Sequence, residues 1–452
     1  MQGSMLLEAM VLNRIYKLGK ILVEHKKKSA VGAGTLFFAG READIRQQYA
    51  REALKYGHQK LSPEERPRRV VVLANVLANN GRVFEKFKIN ALPLLNLAGI
   101  EVSVIKVESA EQMENIASEI DSSEADALYI VGGDGTLSRV VTGLIKNSDK
   151  ASLPFGVFPG GDNNRSLISL VPEVFSISDK DIRKYLESAM ALIEERKRFV
   201  FVTKYTSESS NLNEVQGEPI YGLSDANLGW FLHTELKKAK LWYWGGLKRR
   251  FAYFWEMLKR EPVPLIISAT YEEFCPGCSA CRLAPISKTS EQPQWKWWYY
   301  IFGSPANMSK EKSKDFSKIV NENCHKLHPV TLRGTDILAE TAQANGSSKV
   351  IVKAGGSNLG RTGVMREGWK RCKHSTSVKS PNPDEFYDMT IECSSITFSL
   401  AGLPELIRKF AIFGEVHEQK EEPGDRRIRF EATDKKLEVY LPVFIRVDLK
   451  AV

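Results

Sequence analysis

Residues Gly132-Gly133-Asp134-Gly135-Thr136 constrain this chain more than any other stretch. An apolar run, Ala127 to Val131, leads into them, and an amphipathic run through Leu137, Val140, Val141, Leu144 and Ile145 leads out. Strand, glycine turn and helix in that order bring backbone N–H groups and a helix N-terminus to where a phosphate can approach. A carboxylate in the middle repels phosphate, so Asp134 suits a different role, either holding Mg²⁺ or taking a proton from an attacking hydroxyl. The plainer alternative is a tight turn that needs glycine for steric reasons alone.

The turn belongs to a regular series that starts at Arg68. Val70 to Ala74 reads as a buried strand ending at Asn75, Glu85 to Leu97 as a helix stopped by Gly99, and Glu101 to Val107 as a second strand. Ala110 to Ile120 reads as a helix, Leu128 to Val131 as a third strand, and Phe155 to Phe158 as a fourth that ends in Pro159-Gly160-Gly161-Asp162-Asn163-Asn164. Alternation of this kind predicts an α/β domain with a parallel sheet and right-handed crossovers. Ligands then bind beyond the carboxyl ends of the strands. Three of those ends carry polar or glycine-rich turns: Asn75–Gly81, Gly132–Thr136 and Gly160–Asn164.

From about Phe199 the pattern changes to alternating strands, among them Phe199–Thr203, Pro264–Ser268, Lys349–Lys353 and Ser395–Ser399, with Glu438–Leu449 closing the chain as a long strand pair. This predicts a β-rich, sandwich-like C-terminal domain with the cleft between the halves. Gly303–Lys314 and Gly355–Asp384 read as loops. The expected divisions are residues 1–67, a basic targeting or anchoring segment and helix; 68–198, the nucleotide-binding domain; and 199–452, a β-rich lipid-binding domain with insertions.

The chain has 452 residues, enough for two cored domains, and a net charge of +9. That balance suits an anionic partner such as a nucleotide or an acidic phospholipid surface. No RNA- or DNA-reading module is recognisable, so no nucleic-acid partner is expected. Met10 to Val23 is a basic amphipathic segment, followed by Lys26–Lys28 and the apolar Ala30–Ala39 run. That run is about half the length needed to cross a bilayer. Poor in acids and rich in Lys and Arg, the segment reads as a mitochondrial targeting or anchoring sequence, with a surface helix as the alternative. Trp242, Trp244, Phe251, Tyr253, Phe254 and Trp255, near Lys248-Arg249-Arg250, suit either core packing or a lipid-facing lip, and Trp295–Phe302 raises the same choice. Cys275, Cys278 and Cys281 have metal-ligand spacing. A structural Zn²⁺ with a fourth ligand from Cys324, His325, His328, Cys372 or His374, a disulfide, and an inert loop all remain open.

Asn75 with Gly81-Arg82, Gly132-Gly-Asp-Gly-Thr-Leu137, and Pro159-x-Gly161 with Asn164 together resemble the lipid kinase catalytic domain of diacylglycerol, sphingosine and ceramide kinases. The likeness to the mitochondrial acylglycerol kinase branch extends to Arg51–Gly57, Asn90–Gly99, Val140–Gly143 and Lys240–Lys248, and covers about Arg46 to Glu261. The resemblance implies a phosphofructokinase/NAD kinase-like fold for the first domain. It implies ATP- and Mg²⁺-dependent phosphorylation of monoacylglycerol to lysophosphatidate and of diacylglycerol to phosphatidate. The expected place is the mitochondrial inner membrane, facing the intermembrane space. Two alternatives stay open: a non-catalytic structural subunit partnered with carrier translocase subunits, and a soluble-metabolite kinase of the NAD kinase type.

By the same resemblance, Asn75, Gly81, Arg82, Gly132, Gly133, Gly135, Thr136, Gly161 and Asn164 would bind ATP, and Asp134 would act as catalytic base or Mg²⁺ ligand. The family also uses an acid on a strand near the C-terminus that folds back to the cleft. The segment Phe430–Glu438 matches that strand and offers Asp434. The chain departs from the family pattern with Val76 in place of Pro, Arg82 in place of Lys, Ser138 in place of Asn, and Asp162-Asn163 inside the last loop. The family's head-group Asp aligns with His233.

Overall fold

The computed structural model describes residues 26–59, 66–146, 153–178, 181–209, 218–281, 319–344, 347–374, 384–418 and 426–447. Met10–Val23, Trp295–Phe302 and Gly303–Lys314 lie outside them. In the first half, helix α1 (Lys26–Gly57) precedes strand β1 (Arg69–Asn75), helices α2 (Arg82–Asn90) and α3 (Leu92–Leu97), and strand β2 (Glu101–Val107). Then come α4 (Ala110–Glu119), β3 (Ala127–Gly132), α5 (Asp134–Lys146), β4 (Phe155–Pro159), α6 (Arg165–Leu170), α7 (Pro172–Phe175) and α8 (Arg183–Ile193). The strands are parallel in the order β4-β3-β1-β2.

Every residue of β3 is buried. Helices cover both faces of the sheet, so a central strand can be apolar throughout rather than alternating. One face packs against Met113, Leu137, Val140 and Leu144. The other packs against Phe87, Leu95, Leu186 and Met190, and also against Ile45, Tyr49 and Ala53 of α1. The C-terminal part of α1 is therefore part of the first core. The single helix expected over Glu85–Leu97 is two, because Pro93 stands in the first turn of α3 and cannot donate to a preceding turn. Among the described residues no helix is long and apolar enough to cross a membrane.

The second half comprises β5 (Lys197–Ser209), β6 (Ile220–Gly222), β7 (Ala226–Gly229), α9 (Trp230–Lys237), a 3-10 segment (Lys238–Leu247), α10 (Lys248–Lys259), β8 (Leu265–Glu273) and β9 (Leu327–Gly334). It continues with β10 (Asp336–Ala344), β11 (Ser347–Gly355), α11 (Arg361–His374), β12 (Met389–Ser399), β13 (Lys409–Ile412), β14 (Glu415–Glu418) and β15 (Arg426–Tyr440). Strand order runs β14-β13-β7-β10-β11-β12-β15, with β8 and β9 added to β12. The sheet folds over itself, so that the hydroxyls of Thr203 on β5 and Thr341 on β10 bond across the interior. The stretch Gly355–Asp384, read as loop, contains α11.

β15 joins the halves. It runs antiparallel to β5 from Arg426↔Ser209 to Tyr440↔Lys197, and its last residues, Val439 and Tyr440, pair parallel with Phe155 and Gly156 of β4. Of the strand pair expected over Glu438–Leu449, β15 takes Glu438–Tyr440, and the described residues after it, 441–447, form no strand. Beyond β15 Arg446 reaches Glu187 on α8 and Glu194 at the C-terminal cap of that helix, both in the first domain. The close of the chain thus packs on the first domain, although it falls within the 199–452 division.

Candidate active site

Three loops meet above β1, β3 and β4. Asn75 ends β1, and its side-chain oxygen accepts the N–H groups of Leu77 and Ala78, each at 3.1 Å. Its amide donates to the Thr136 hydroxyl at 2.9 Å, which ties the first loop to the second. Asn164 closes the third loop by accepting the Gly161 N–H and donating to the Gly161 carbonyl, both at 2.8 Å. Gly161 crosses Gly133 so closely that a Cβ on it would lie 2.8 Å from the Gly133 Cα.

Asp134 is the knot of this arrangement. Its carboxylate accepts the Arg165 N–H at 2.9 Å, the Ser166 N–H at 3.0 Å and the Ser166 hydroxyl at 2.6 Å. It therefore caps α6, whose first N–H groups have no intrahelical partner. Burial pushes its carboxyl above the usual range, against the pull of the donors from Ser166 and Arg165.

A fourth contributor comes from the second domain. The turn between β13 and β14, Phe413-Gly414, has positive φ at both residues (48° and 83°). A Cβ on Gly414 would stand 2.7 Å from that of Asp134. Glu415 follows and takes the Arg139 guanidinium by two nitrogens, at 2.7 and 2.5 Å, while Arg139 also reaches Glu114 at 3.2 Å.

Two cavities abut here. One, of about 690 Å³, is lined by Asn75, Gly133, Thr136, Arg139, Lys248 and Glu415 among others. The second, of about 270 Å³, is lined by Arg165, Asp225, Glu235, Arg249 and Arg371 with an apolar wall that includes Phe231. They share Asp134, Asp162, Asn163, Lys238 and Gly414. In the smaller one the charges come in pairs: Arg165 with Asp225, Arg249 with Glu235 at 2.5 Å, and Arg371 with Asp336 at 2.5 Å. Burial opposes ionisation of Glu235, but Arg249 and Lys238 beside it hold its carboxyl below the usual range. A pocket lined by ion pairs beside an apolar wall suits a ligand with a polar head and an apolar body.

Of the residues expected from sequence, Asn75, Gly133, Asp134, Gly135, Thr136 and Gly161 line the larger cavity, and Asn164 the smaller. Gly132 packs on the Thr136 side chain, which a Cβ would strike at 2.5 Å. Gly81 and Arg82 are exposed and outside both linings, because the 3-10 turn at Ala78–Gly81 carries them away from the loops. Asp434 is also outside both: it lies exposed at the register shift between Ala432 and Lys436 of β15. An acid from the second half that does line the larger cavity is Glu415. Its signal in the sequence is a glycine between two short alternating runs, the mark of a hairpin. His233 lines a separate cavity of about 570 Å³, and Asp225 occupies the polar pocket instead. Lys238 and Lys248, at either end of the 3-10 segment, supply cavity cations where Arg82 does not.

The aromatic stripe divides. Tyr253 is buried, whereas Trp244, Phe254 and Trp255 are exposed, Trp244 stacking on Phe251 at 4.0 Å. The Trp242 side chain lies outside the described residues. Cys275, Cys278 and Cys281 come together with Cys324.

Residues 69–200 match the diacylglycerol kinase catalytic domain. An uncharacterized protein of Caenorhabditis elegans, F52C9.3, is 41% identical over 446 residues, 97% of this chain and 99% of that one. The mitochondrial acylglycerol kinase of Xenopus laevis is 28% identical over 57% of this chain and 60% of its own length. That of Homo sapiens is 27% identical over 56% of this chain and 59% of its own. A solved structure of a putative diacylglycerol kinase from Bacillus anthracis str. Sterne aligns with a TM-score of 0.44 at 13% identity, over 84% of this chain and 98% of that one, too distant a likeness to carry an argument. Matched over nearly its whole length, the nematode chain and this one belong to one family, in which residues 69–200 here carry the match to the diacylglycerol kinase catalytic domain and the chain is similar to the mitochondrial acylglycerol kinases.

Proposed function

We propose that this chain is a lipid kinase that transfers the terminal phosphoryl group of ATP to a hydroxyl of monoacylglycerol or diacylglycerol. The observation that carries the reading is the pair of abutting cavities that share Asp134. The larger suits the nucleotide. The first intrahelical donor of α5 is the Leu137 N–H, bonded to Gly133 O at 3.0 Å, so the N–H groups before it are available to phosphate. Lys238 and Lys248 add positive charge. The polar pocket with its apolar wall suits the glycerol head and the start of the acyl chain.

Asp134 and Asp162 sit on the shared boundary, and their carboxylate oxygens are the donors a Mg²⁺ ion prefers. Bound there, the ion would neutralise charge that develops on the phosphates. A carboxylate has about four lone-pair sites. Three of those of Asp134 are taken by α6 and its Ser166 hydroxyl, which orients the group and leaves one, to hold the ion or to receive the proton of the acceptor hydroxyl but not both at once. Arg139 and Arg165, held by Glu415 and Asp225, fix the walls on either side. The catalysis asked of these residues is positioning and charge neutralisation.

The basic N-terminal sequence and the kinship with mitochondrial acylglycerol kinases support a mitochondrial location, with the inner membrane, facing the intermembrane space, as the proposed site. The exposed Trp244, Phe254 and Trp255 would meet the lipid surface.

The test is incubation of the full chain with labelled ATP, Mg²⁺ and mixed micelles of either acylglycerol, beside Lys238→Ala/Lys248→Ala. Label is expected in the lipid, with the KM for ATP raised about tenfold in the double variant. ATP binding without transfer would overturn the reading in favour of a structural subunit of the carrier import machinery. Transfer to NAD would replace it with a metabolite kinase.

A further inference from the structure

We propose that Cys275, Cys278, Cys281 and Cys324 form a four-thiolate zinc site that staples the base of the long excursion between β8 and β9. The two strands pair antiparallel from Leu265↔Gly334 to Glu272↔Leu327, so the chain leaves the sheet after Glu273 and returns at Leu327. Residues 274–326 form the connection, far longer than the two to five residues, roughly, of an ordinary hairpin loop. A hairpin with so long a connection needs its ends tied locally, and the cysteines stand where such a tie works. Three lie just beyond the end of β8, and the fourth lies three residues before β9.

The sulfurs are already arranged for a metal. All four lie within 4.8 Å of one another. The Cys278–Cys281 separation is 3.6 Å and the Cys281–Cys275 separation 3.7 Å. A tetrahedral zinc ion with Zn–S bonds of about 2.3 Å requires sulfurs about 3.8 Å apart. No cysteine among the described residues is paired in a disulfide. Four thiols in mutual contact do not single out two partners; a shared centre does account for them.

The backbone supports the same reading. Pro276 and Gly277, the latter at φ 142°, turn the chain so that the Cys278 N–H donates to the Cys281 sulfur at 3.3 Å. The Ser279 N–H donates to the Ile319 carbonyl at 2.9 Å, which joins the three-cysteine turn to the returning arm. Cys278 is buried and the other three half-buried, so the centre would be shielded without being sealed.

Of the alternatives for the fourth ligand, His325 is engaged with Glu272 at 2.7 Å, and His328 packs on the Tyr271 ring. Cys372 lies on α11, outside the group. The His374 side chain lies outside the described residues. Four sulfurs at tetrahedral spacing select zinc or iron. A site that serves to close a loop has no use for redox chemistry, so zinc is the assignment. It is independent of the kinase reading.

The test is elemental analysis of the full chain, purified under reducing conditions without chelator. One zinc and no iron per chain are expected. Exchange for Co²⁺ should give sulfur-to-cobalt charge-transfer absorption together with the intense visible bands of a tetrahedral thiolate site. Cys324→Ser should lose the metal on gel filtration, and Cys324→His should keep it. Iron in place of zinc, a metal-free wild-type protein, disulfide masses under non-reducing conditions, or full zinc content in Cys278→Ser/Cys324→Ser would each overturn the proposal. Should the variants fail to fold, the wild-type metal content and cobalt spectrum still decide.

Discussion

Gly161 and Gly133 approach so closely that neither tolerates a side chain without moving the other's backbone. Contacts under 3.0 Å to a Cβ are essentially never found, and backbone cannot yield as a side-chain tip can. Gly161→Ala should therefore part the two loops. Nucleotide affinity is expected to fall about tenfold or more, with a stability loss of about 1–3 kcal/mol and an unchanged circular dichroism spectrum. Gly360→Ala, where a Cβ meets nothing within 4 Å, is the control. Titration with a fluorescent ATP analogue measures the effect, and equal affinity in both variants would refute it. The sequence displays these glycines as separate turns. It does not display that the glycine of one serves the passage of the other, because their contact is set by how β3 and β4 pair. Asp134 is a similar case. Its place in the turn is legible, but its three bonds to α6 depend on Arg165 and Ser166, some thirty residues away.

The hairpin of β13 and β14 carries more of the site than its four-residue strands suggest. It lays Gly414 on Asp134, hands Glu415 to Arg139, and buries His417 between the rings of Tyr205 and Phe410. Strands this short leave little periodicity to read, and the family resemblance points for the acid to the segment Phe430–Glu438 on β15 instead. The shift between Ala432 and Lys436 leaves Asp434 in solvent. Burial holds the His417 pKa below the usual value; Glu415 opposes this, while Arg139 and Arg426 reinforce it. Between the lowered folded value and about 6.5, the unfolded chain binds the proton and the folded one does not. Stability contributed by the neutral ring is thus full above about pH 6.5 and falls as the pH drops through that window. His417→Gln should flatten the dependence of the thermal midpoint on pH in this range. A variant with the wild-type slope would show that other groups set it.

Across the molecule, α/β alternation and the β-rich second half are legible in period and strand content, whereas the sharing of β15 is not. Register with β4 is a long-range fact, and nothing local in Val439-Tyr440 announces a parallel partner. The consequence is mechanical. β15 spans both halves, and just beyond it Arg446 holds Glu187 of α8 and Glu194 at its C-terminal cap. Its guanidinium reaches Glu194 at 2.5 Å and Glu187 at 3.3 Å, and its N–H bonds Glu187 at 2.7 Å. Glu187 is fully buried and also accepts the Tyr49 hydroxyl at 2.5 Å. Arg446→Met strands that carboxylate, a loss of about 3–5 kcal/mol, and adding Glu187→Gln should recover part of it. All eight tryptophans lie at or beyond Trp230, so their fluorescence reports the second half, while helical circular dichroism is dominated by the first. If β15 couples the halves, Arg446→Met lowers the urea midpoint equally by both probes, although no tryptophan is near the mutation in sequence. A fluorescence midpoint that stays at its wild-type value while the dichroism midpoint falls would show that the halves unfold independently and that the shared strand does not carry the coupling.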